Sequence, residues 1–231
     1  MKIIIITENN IKEIINIAAK VCYSKKSITE IYSQIENSNH GISIGLDYHH
    51  YSLFEHVYFT ILIEDISRSL SHQLVRHRLA TYHQSSQRNI KVEDLKSSIV
   101  IPETIDNNEE AKNIFMENIK NIQECYEKLI ELNIPKEDAR YILPNATKTQ
   151  LIMTVNVRTL IHILTLRCCN KAMPEFRKLA DMILKECRKI LPEIFNFVGP
   201  SCFFYGKCPE GKRTCGKFNE VIQKYSLEEL E

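Results

Sequence analysis

The sequence predicts an α+β fold in which long helices pack on a central β-sheet within a single domain. At 231 residues, the chain is of a size that one hydrophobic core can serve. Short runs rich in β-branched and aromatic residues, such as VYFTILI at residues 57–63, indicate buried strands. Long segments with a one-sided apolar stripe, at residues 107–132 and 173–191, indicate the helices.

The elements between these landmarks each have a local signal. The KIIIIT run at residues 2–7 predicts a buried first strand, and Asn10 stands where a helix cap is expected. Ser27 and Glu30 have the spacing of a capping box, which predicts a second helix. The remaining elements are predicted in order as a helix from Ile66 toward Arg78, a strand at 98–101, a short helix opened by Pro135, a strand at 147–155, and a helix that Asn156 caps.

The end of the chain differs in character from the rest. We place a boundary at Gly199–Pro200, which gives a main domain of residues 1–199 and a tail of residues 200–231. The tail has three cysteines among turn-forming residues, Cys202, Cys208 and Cys215. This spacing is typical of half a structural zinc site, but the tail offers no fourth ligand. Cys168 or Cys169 could supply one only if the fold brings it near the tail. We therefore expect reduced thiols and no bound metal.

Composition excludes several classes of protein. The net charge is +1, which argues against a dedicated nucleic-acid binder with a zinc knuckle in its tail, because such proteins have a basic excess. No apolar run approaches the ~20 residues of a membrane span. Eight cysteines without a secretory signal predict a reducing cytoplasm. None of the six glycines forms a GxGxxG or P-loop motif, so side-chain arginines would have to hold any nucleotide phosphate.

The stretch QLVRHRLATYHQSSQR at residues 73–88 has the clearest chemical pattern. If the preceding helix runs through Arg78, then Gln73, Arg76 and His77 share one face. Arginine forks bind phosphate oxygens in pairs, and histidine adds a donor that pH can tune. Taken alone, the stretch predicts either the wall of an anion pocket or a solvated helix end with surface arginines.

The stretch is also the centre of a family resemblance. Arg76-His77-Arg78, then seven residues and Ser86, resembles the RHRx7S signature of the flavin-dependent thymidylate synthases, the ThyX family. Four further blocks resemble that family in the same order, over about residues 48 to 195: His50 followed by Phe54-Glu55-His56, Gln73 before the signature, Arg140 to Thr147 as R..LPN.T, and Thr154 to Arg158 as T.N.R with Leu166-Arg167 beyond it.

The resemblance implies a ThyX-like fold and a specific reaction. Members of this family convert dUMP to dTMP by reductive methylation. Methylenetetrahydrofolate supplies the carbon, and NADPH reduces a bound FAD that then supplies the hydride. The resemblance also implies a homotetramer whose active sites are built at subunit interfaces.

The resemblance further implies a role for individual residues. Arg167 would stabilise negative charge on the pyrimidine as it becomes nucleophilic. The expected catalytic residues are Arg167, His50, Ser86 and Gln84. The expected flavin-binding residues are Ser52, Arg76, His77, Arg78, Gln84, Asn156, Arg158 and His162. The expected dUMP-binding residues are Gln73, Ser85, Ser86, Arg88, Arg140 and Arg167.

Three positions depart from the family pattern. Gln84 stands where the family usually has glutamate, His83 where asparagine is common, and Lys171 where a histidine is frequent. A glutamine keeps the reach of glutamate but loses its charge, which puts an electrostatic or proton-transfer role there in doubt. The alternative is therefore a catalytically impaired homologue that still binds flavin and nucleotide.

Overall fold

The structure is a computed structural model that describes residues 1–89 and 92–226. Its fold class is α+β, as predicted, with one four-stranded sheet in the order β1-β2-β4-β3. Strands β2 and β4 are antiparallel, because the residues that flank them pair end to start. The Val57 carbonyl before β2 accepts from the Val157 amide after β4, and the Thr147 carbonyl before β4 accepts from the Arg68 amide after β2. The strands are β1 (Lys2–Thr7), β2 (Tyr58–Ser67), β3 (Ala80–Gln84) and β4 (Lys148–Asn156).

Helices make up most of the remaining regular structure. The longest are α6 and α9, which correspond to the two amphipathic segments predicted from the sequence. The α-helices are α1 (Ile11–Tyr23), α2 (Ile28–Ser33), α3 (His40–Asp47), α4 (Arg68–Leu74), α5 (Glu103–Asp106), α6 (Glu109–Glu131), α7 (Lys136–Ala139), α8 (Val157–Arg167), α9 (Pro174–Ile190), α10 (Pro192–Phe195), α11 (Ser201–Phe204) and α12 (Phe218–Tyr225). Three 3-10 helices cover Tyr51–His56, Arg140–Ile142 and Gly211–Arg213.

The chain divides into two compact units. One comprises residues 1–2, 62–78 and 82–153, and part of its core is a cluster around Leu95, Ile99 and Ile119. The other comprises residues 3–61, 79–81 and the chain from residue 154 onward. Its core includes the buried faces of α8 and α9, with Leu160, Leu164, Phe176, Leu179 and Ile183.

Local signals explain where several elements begin. Ser27 and Glu30 form the predicted capping box, in which each side chain binds the backbone amide of the other residue. The Asn156 side chain caps α8 as predicted, since its Oδ1 accepts from the Thr159 amide at 2.8 Å. Asn10 precedes α1, but its side chain makes no capping hydrogen bond, so that part of the prediction is wrong.

The prediction of a buried first strand is also wrong. Strand β1 lies at an edge of the sheet, and its side chains alternate between the two faces. Ile4 and Ile6 remain 62% and 55% exposed. A run of isoleucines therefore marks the strand correctly but does not show that both of its faces are covered.

The helix that precedes the RHR motif is shorter than predicted. Helix α4 ends at Leu74, so Gln73, Arg76 and His77 do not share a helical face. The Tyr82 hydroxyl lies within hydrogen-bonding distance of two carbonyl oxygens, those of Leu74 at 2.9 Å and His77 at 3.1 Å. This contact satisfies a carbonyl at the end of the helix and fixes the turn that leads into β3.

Other differences concern short elements. Residues 98–101 contribute an isolated antiparallel bridge, Ile99 to Thr147, rather than a strand. Helix α3 was not predicted, and it approaches the following 3-10 helix closely at a glycine. A Cβ atom at Gly45 would lie 2.4 Å from Phe54 Cζ, so no larger residue fits there without a shift. None of the helices in the described ranges is long and apolar enough to cross a membrane.

Candidate active site

The RHR motif forms the turn between α4 and β3. Arg76 and Arg78 are exposed, whereas His77 is half-buried and its amide donates to the Leu74 carbonyl at 3.1 Å. Neither of these arginines forms an ion pair with any carboxylate in the ranges that the structure describes. The turn therefore offers guanidinium groups that can bind an anion.

The loop after β3 is held from two sides. The Ser85 amide donates to the Gln150 carbonyl at 3.0 Å, which continues the pairing with β4. The Ser85 carbonyl accepts from Arg68 Nη2 at 2.7 Å. Farther on, the Arg88 amide donates to Ser86 Oγ at 3.2 Å. The backbone of this loop, residues 85–88, is therefore held by hydrogen bonds to β4 and to Arg68, and by one hydrogen bond within the loop.

Arginine side chains surround this loop. Arg88 contacts Glu137 Oε2 through Nη2 at 2.9 Å and through Nε at 3.0 Å. Arg140 donates from Nε to the backbone carbonyl of Glu137 at 3.0 Å. With Arg68, three guanidinium groups are present. Among the described residues, Glu137 is the one carboxylate that forms an ion pair with any of the three. Such a cationic excess suits a phosphate group.

Sequence reasoning missed Arg68, because its position resembles the polar side of a short helix. Burial first, and then the nearby positive charge of Arg140, lowers the pKa of the Arg68 guanidinium. The signal that could have identified it is a lone arginine between the apolar residues Ile66 and Leu70, at the start of a segment that leads to the RHR motif.

Gln84 lies at the end of β3 and joins three elements. Its amide nitrogen donates to Ser71 Oγ on α4 at 2.9 Å and to Thr149 Oγ1 on β4 at 3.1 Å. Ser71 Oγ in turn donates its single proton to the Arg68 carbonyl at 3.0 Å. Its oxygen is therefore an acceptor toward residue 84, and this arrangement matches an amide rather than a carboxylate.

The other unit contains the remaining predicted residues. Arg158 lies in the first turn of α8 and forms an ion pair with Glu55. This pair offsets the unfavourable position of a cation near a helix N-terminus. His162 is exposed one turn farther along the helix, and Ser52 is exposed in the first 3-10 helix. The exposed His50 has its Nδ1 3.4 Å from the Tyr23 hydroxyl.

Arg167 is the last residue of α8 and is half-buried. Its guanidinium carbon lies 4.7 Å from the centre of the Phe176 ring, a cation–π distance. Burial lowers its pKa, but an arginine remains charged near neutral pH. Arg167 also lines a cavity of about 260 Å³.

Four cysteines line the same cavity as Arg167. Three belong to the tail, and the fourth is two residues beyond the end of α8; together they are Cys169, Cys202, Cys208 and Cys215. Of the two cysteines that could supply a fourth ligand, Cys168 and Cys169, the fold thus brings Cys169 to the cavity that the tail cysteines line. Within residues 1–89 and 92–226, no three histidine, cysteine or acidic side chains are grouped so that they could hold a metal ion.

The predicted residues thus fall into two sets. One unit gathers the residues around the RHR turn and the loop at 85–88: Gln73, Arg76, His77, Arg78, Gln84, Ser85, Ser86, Arg88 and Arg140. The other has the residues of the first 3-10 helix and of α8: His50, Ser52, Asn156, Arg158, His162 and Arg167.

Comparison with known proteins gives a consistent result. Residues 4–193 match the family described as thymidylate synthase complementing protein, Thy1. A flavin-dependent thymidylate synthase from Clostridium tetani is 39% identical in an alignment that covers 94% of this chain and 93% of that relative. The chain belongs to the flavin-dependent thymidylate synthase family.

Other members of the family extend the similarity. The flavin-dependent thymidylate synthase of Pyrococcus horikoshii is 40% identical, with 92% of this chain and 94% of that relative covered. A crystal structure of ThyX from Helicobacter pylori with FAD and dUMP has a TM-score of 0.61 at 26% identity. The superposition covers 80% of this chain and 92% of the Helicobacter chain. The ThyX-like fold expected from the sequence is therefore confirmed.

Proposed function

We propose that this protein makes dTMP from dUMP by flavin-dependent reductive methylation. Methylenetetrahydrofolate would supply the carbon, and NADPH would supply the reducing equivalents through bound FAD. The observation that carries the proposal is membership of the family over most of the chain, together with the arginine-rich loop at residues 85–88.

The chemistry of the side chains fits FAD. A dinucleotide has two phosphates, and the chain has no glycine-rich motif to bind them. The exposed arginines of the RHR turn, with Arg158 and His162 on α8, can provide charge-assisted hydrogen bonds instead. His77, Ser52, Gln84 and Asn156 complete the proposed flavin site. Bound FAD would supply the hydride for the reaction.

The residues around the loop at 85–88 suit the phosphate of dUMP. Arg88 and Arg140 meet at Glu137, so a phosphate can displace the exposed Arg88–Glu137 ion pair at little cost. Ser86 would add a hydroxyl donor, and we propose that Gln73 and Ser85 also contact the nucleotide. In this role the arginines hold the substrate and do not take part in bond making.

Arg167 would act on the ring of dUMP rather than on its phosphate. Its guanidinium is a fixed, half-buried cation, which is worth more beside a developing negative charge than a solvated one. The pyrimidine gains negative charge as C5 becomes nucleophilic, so Arg167 would stabilise the transition state more than the bound substrate. His50 would lie near the flavin and the folate.

We further propose a homotetramer in the cytoplasm, with active sites at subunit interfaces. The exposed apolar side chains of Ile4 and Ile6 on the edge strand β1, and of Tyr58 on its neighbour β2, support an assembly that covers them. The cytoplasmic location rests on the eight cysteines, all of which are free thiols in the structure.

The visible spectrum of the purified protein tests the proposed cofactor. We expect a yellow protein with oxidised-flavin absorbance, which releases FAD rather than FMN on denaturation. Arg76→Ala should weaken the retention of FAD, whereas Lys212→Ala, a matched change of an exposed cation in the tail, should not. A colourless protein that FAD cannot reconstitute would contradict the proposal.

A further inference from the structure

Arg68 has a role that the family resemblance does not assign. It is the first residue of α4 and is half-buried. Its Nη2 donates to the Ser85 carbonyl at 2.7 Å, so it directly supports the loop at 85–88. Its Nε is buried and has no hydrogen-bond partner in the described ranges.

The charge of Arg68 has no ion-pair partner among the residues that the structure describes. No carboxylate of the described residues lies within ion-pair distance of it. Its neighbour Arg140 is also a cation, and the two charges repel one another. A partly buried cation without a counter-ion destabilises a fold, because it loses hydration without gaining an opposite charge.

An anion beside the loop would relieve this cost. The phosphate of a nucleoside monophosphate has a charge of about −1.5 to −2 near neutral pH. If it is bound by Ser86, Arg88 and Arg140, it lies beside the loop whose Ser85 peptide Arg68 holds. Arg68 would then attract it through space and keep the Ser85 peptide in place, without touching it.

We propose that Arg68 is a positioning residue for the phosphate of dUMP. Its guanidinium fixes the Ser85 carbonyl, and its uncompensated positive charge strengthens the binding of a phosphate at the loop. This inference rests on the proposed function, since it takes dUMP as the molecule bound there. It predicts that Arg68 discriminates dUMP from deoxyuridine, which lacks the phosphate.

Two substitutions separate the charge of Arg68 from its hydrogen bond. Arg68→Gln keeps a donor but removes the charge, whereas Arg68→Lys keeps the charge but removes the planar fork. Arg213→Gln, a change of an exposed cation in the tail, is the matched control. For each variant, the FAD-loaded protein is titrated with dUMP and with deoxyuridine, and its thermal midpoint is measured without nucleotide.

We expect Arg68→Gln to weaken dUMP binding at least tenfold and deoxyuridine binding less than threefold. Its thermal midpoint without nucleotide should be no lower than that of the wild type, because an uncompensated charge has been removed. Arg68→Lys should retain dUMP affinity within about fivefold, and Arg213→Gln should match the wild type. The steady-state kcat should change little in any of these variants, since Arg68 does not touch the pyrimidine.

Other results would contradict the inference in distinguishable ways. If the wild type binds dUMP and Arg68→Gln binds it equally well, the role of Arg68 is wrong and the proposed function stands. Equal losses for dUMP and deoxyuridine, together with a lower thermal midpoint, would assign Arg68 to the fold alone. If Arg68→Gln does not fold, a loss of more than fiftyfold in Arg68→Lys would overturn the role of charge. A wild-type protein without affinity for dUMP would overturn the proposed function itself.

Discussion

The guanidinium carbon of Arg167 lies 4.7 Å from the centre of the Phe176 ring. This contact joins the end of α8 to the first turn of α9 and orients a half-buried cation. An arginine held in this way remains charged, but its side chain has little freedom to move. Such a residue can stabilise charge at a fixed position without reorganising during the reaction.

Loss of Arg167 should therefore affect turnover more than binding. We expect Arg167→Ala to reduce kcat by roughly a hundredfold or more, with a much smaller change in the KM for dUMP. Arg167→Lys should not restore kcat, because an ammonium group cannot reproduce the planar fork. Steady-state kinetics of dTMP formation provide the measurement. Reduction of the flavin by NADPH without dUMP is the control and should persist in both variants. A variant that loses FAD would show that the arginine belongs to the flavin site instead.

Arg88 should show the opposite pattern. A phosphate contact contributes to the bound substrate and the transition state alike, so Arg88→Ala should raise the KM for dUMP at least tenfold and leave most of kcat. Glu137→Gln should lower that KM by a few fold, because the carboxylate competes with the phosphate for Arg88. Glu131→Gln, which neutralises an acid at the end of α6, is the matched control. An Arg88→Ala variant that loses only turnover would contradict this assignment.

Tyr82 should influence both the RHR turn and the alkaline stability of the protein. Its hydroxyl contacts the carbonyls of Leu74 and His77, so Tyr82→Phe should cost about 1 kcal/mol of stability and weaken FAD binding several fold. Burial raises the pKa of Tyr82 to about 12, against about 10 in an unfolded chain. The folded state therefore disfavours the phenolate, and stability should be lost as the pH rises from about 10 to about 12.

Urea denaturation between pH 8 and pH 12 measures this effect. The wild type should lose more stability over the upper part of this range than Tyr82→Phe does. Tyr32→Phe, which removes the hydroxyl of an exposed tyrosine, should follow the wild type. Parallel curves for the wild type and Tyr82→Phe would show that the hydroxyl does not couple the turn to pH.

Gln84 should be better suited to its site than a glutamate would be. Because the Ser71 proton is given to the Arg68 carbonyl, a carboxylate at residue 84 would face a lone pair. We expect Gln84→Glu to lower the free energy of unfolding by about 1–3 kcal/mol near neutral pH. The loss should shrink below the pKa of the new carboxyl group, since a protonated acid can donate again.

Gln84→Met, which has neither donor nor charge, is the control. A Gln84→Glu variant that is as stable as the wild type and faster would mean that the site suits a carboxylate.

The sequence predicted those parts of the fold that depend on local chemistry. The capping residues Ser27 and Asn156 and the apolar stripe of α9 all appear where they were expected. The open face of β1 and the early end of α4 could not be read from the sequence. The first depends on which strand lies at the sheet edge, and the second depends on a tyrosine from the next strand.

The same limit applies to the candidate site. Motifs identified Arg88 and Arg167, but the partners Glu137 and Phe176 come from elements that fold next to them. Arg68 belongs to none of the motifs, and its connection to the site is seen in its contact with the Ser85 carbonyl. The approach of Cys169 to the tail cavity is likewise a result of folding and has no signal in the spacing of the cysteines.

Formation of dTMP by the purified protein is the most direct test of the central claim. The FAD-loaded protein is incubated with dUMP, methylenetetrahydrofolate and NADPH, and the nucleotides are separated and quantified. We predict one dTMP for each dUMP consumed, and no product when FAD, NADPH or the folate is omitted. A protein that binds FAD and dUMP, oxidises NADPH and yet forms no dTMP would contradict the account and identify a homologue that has lost catalysis.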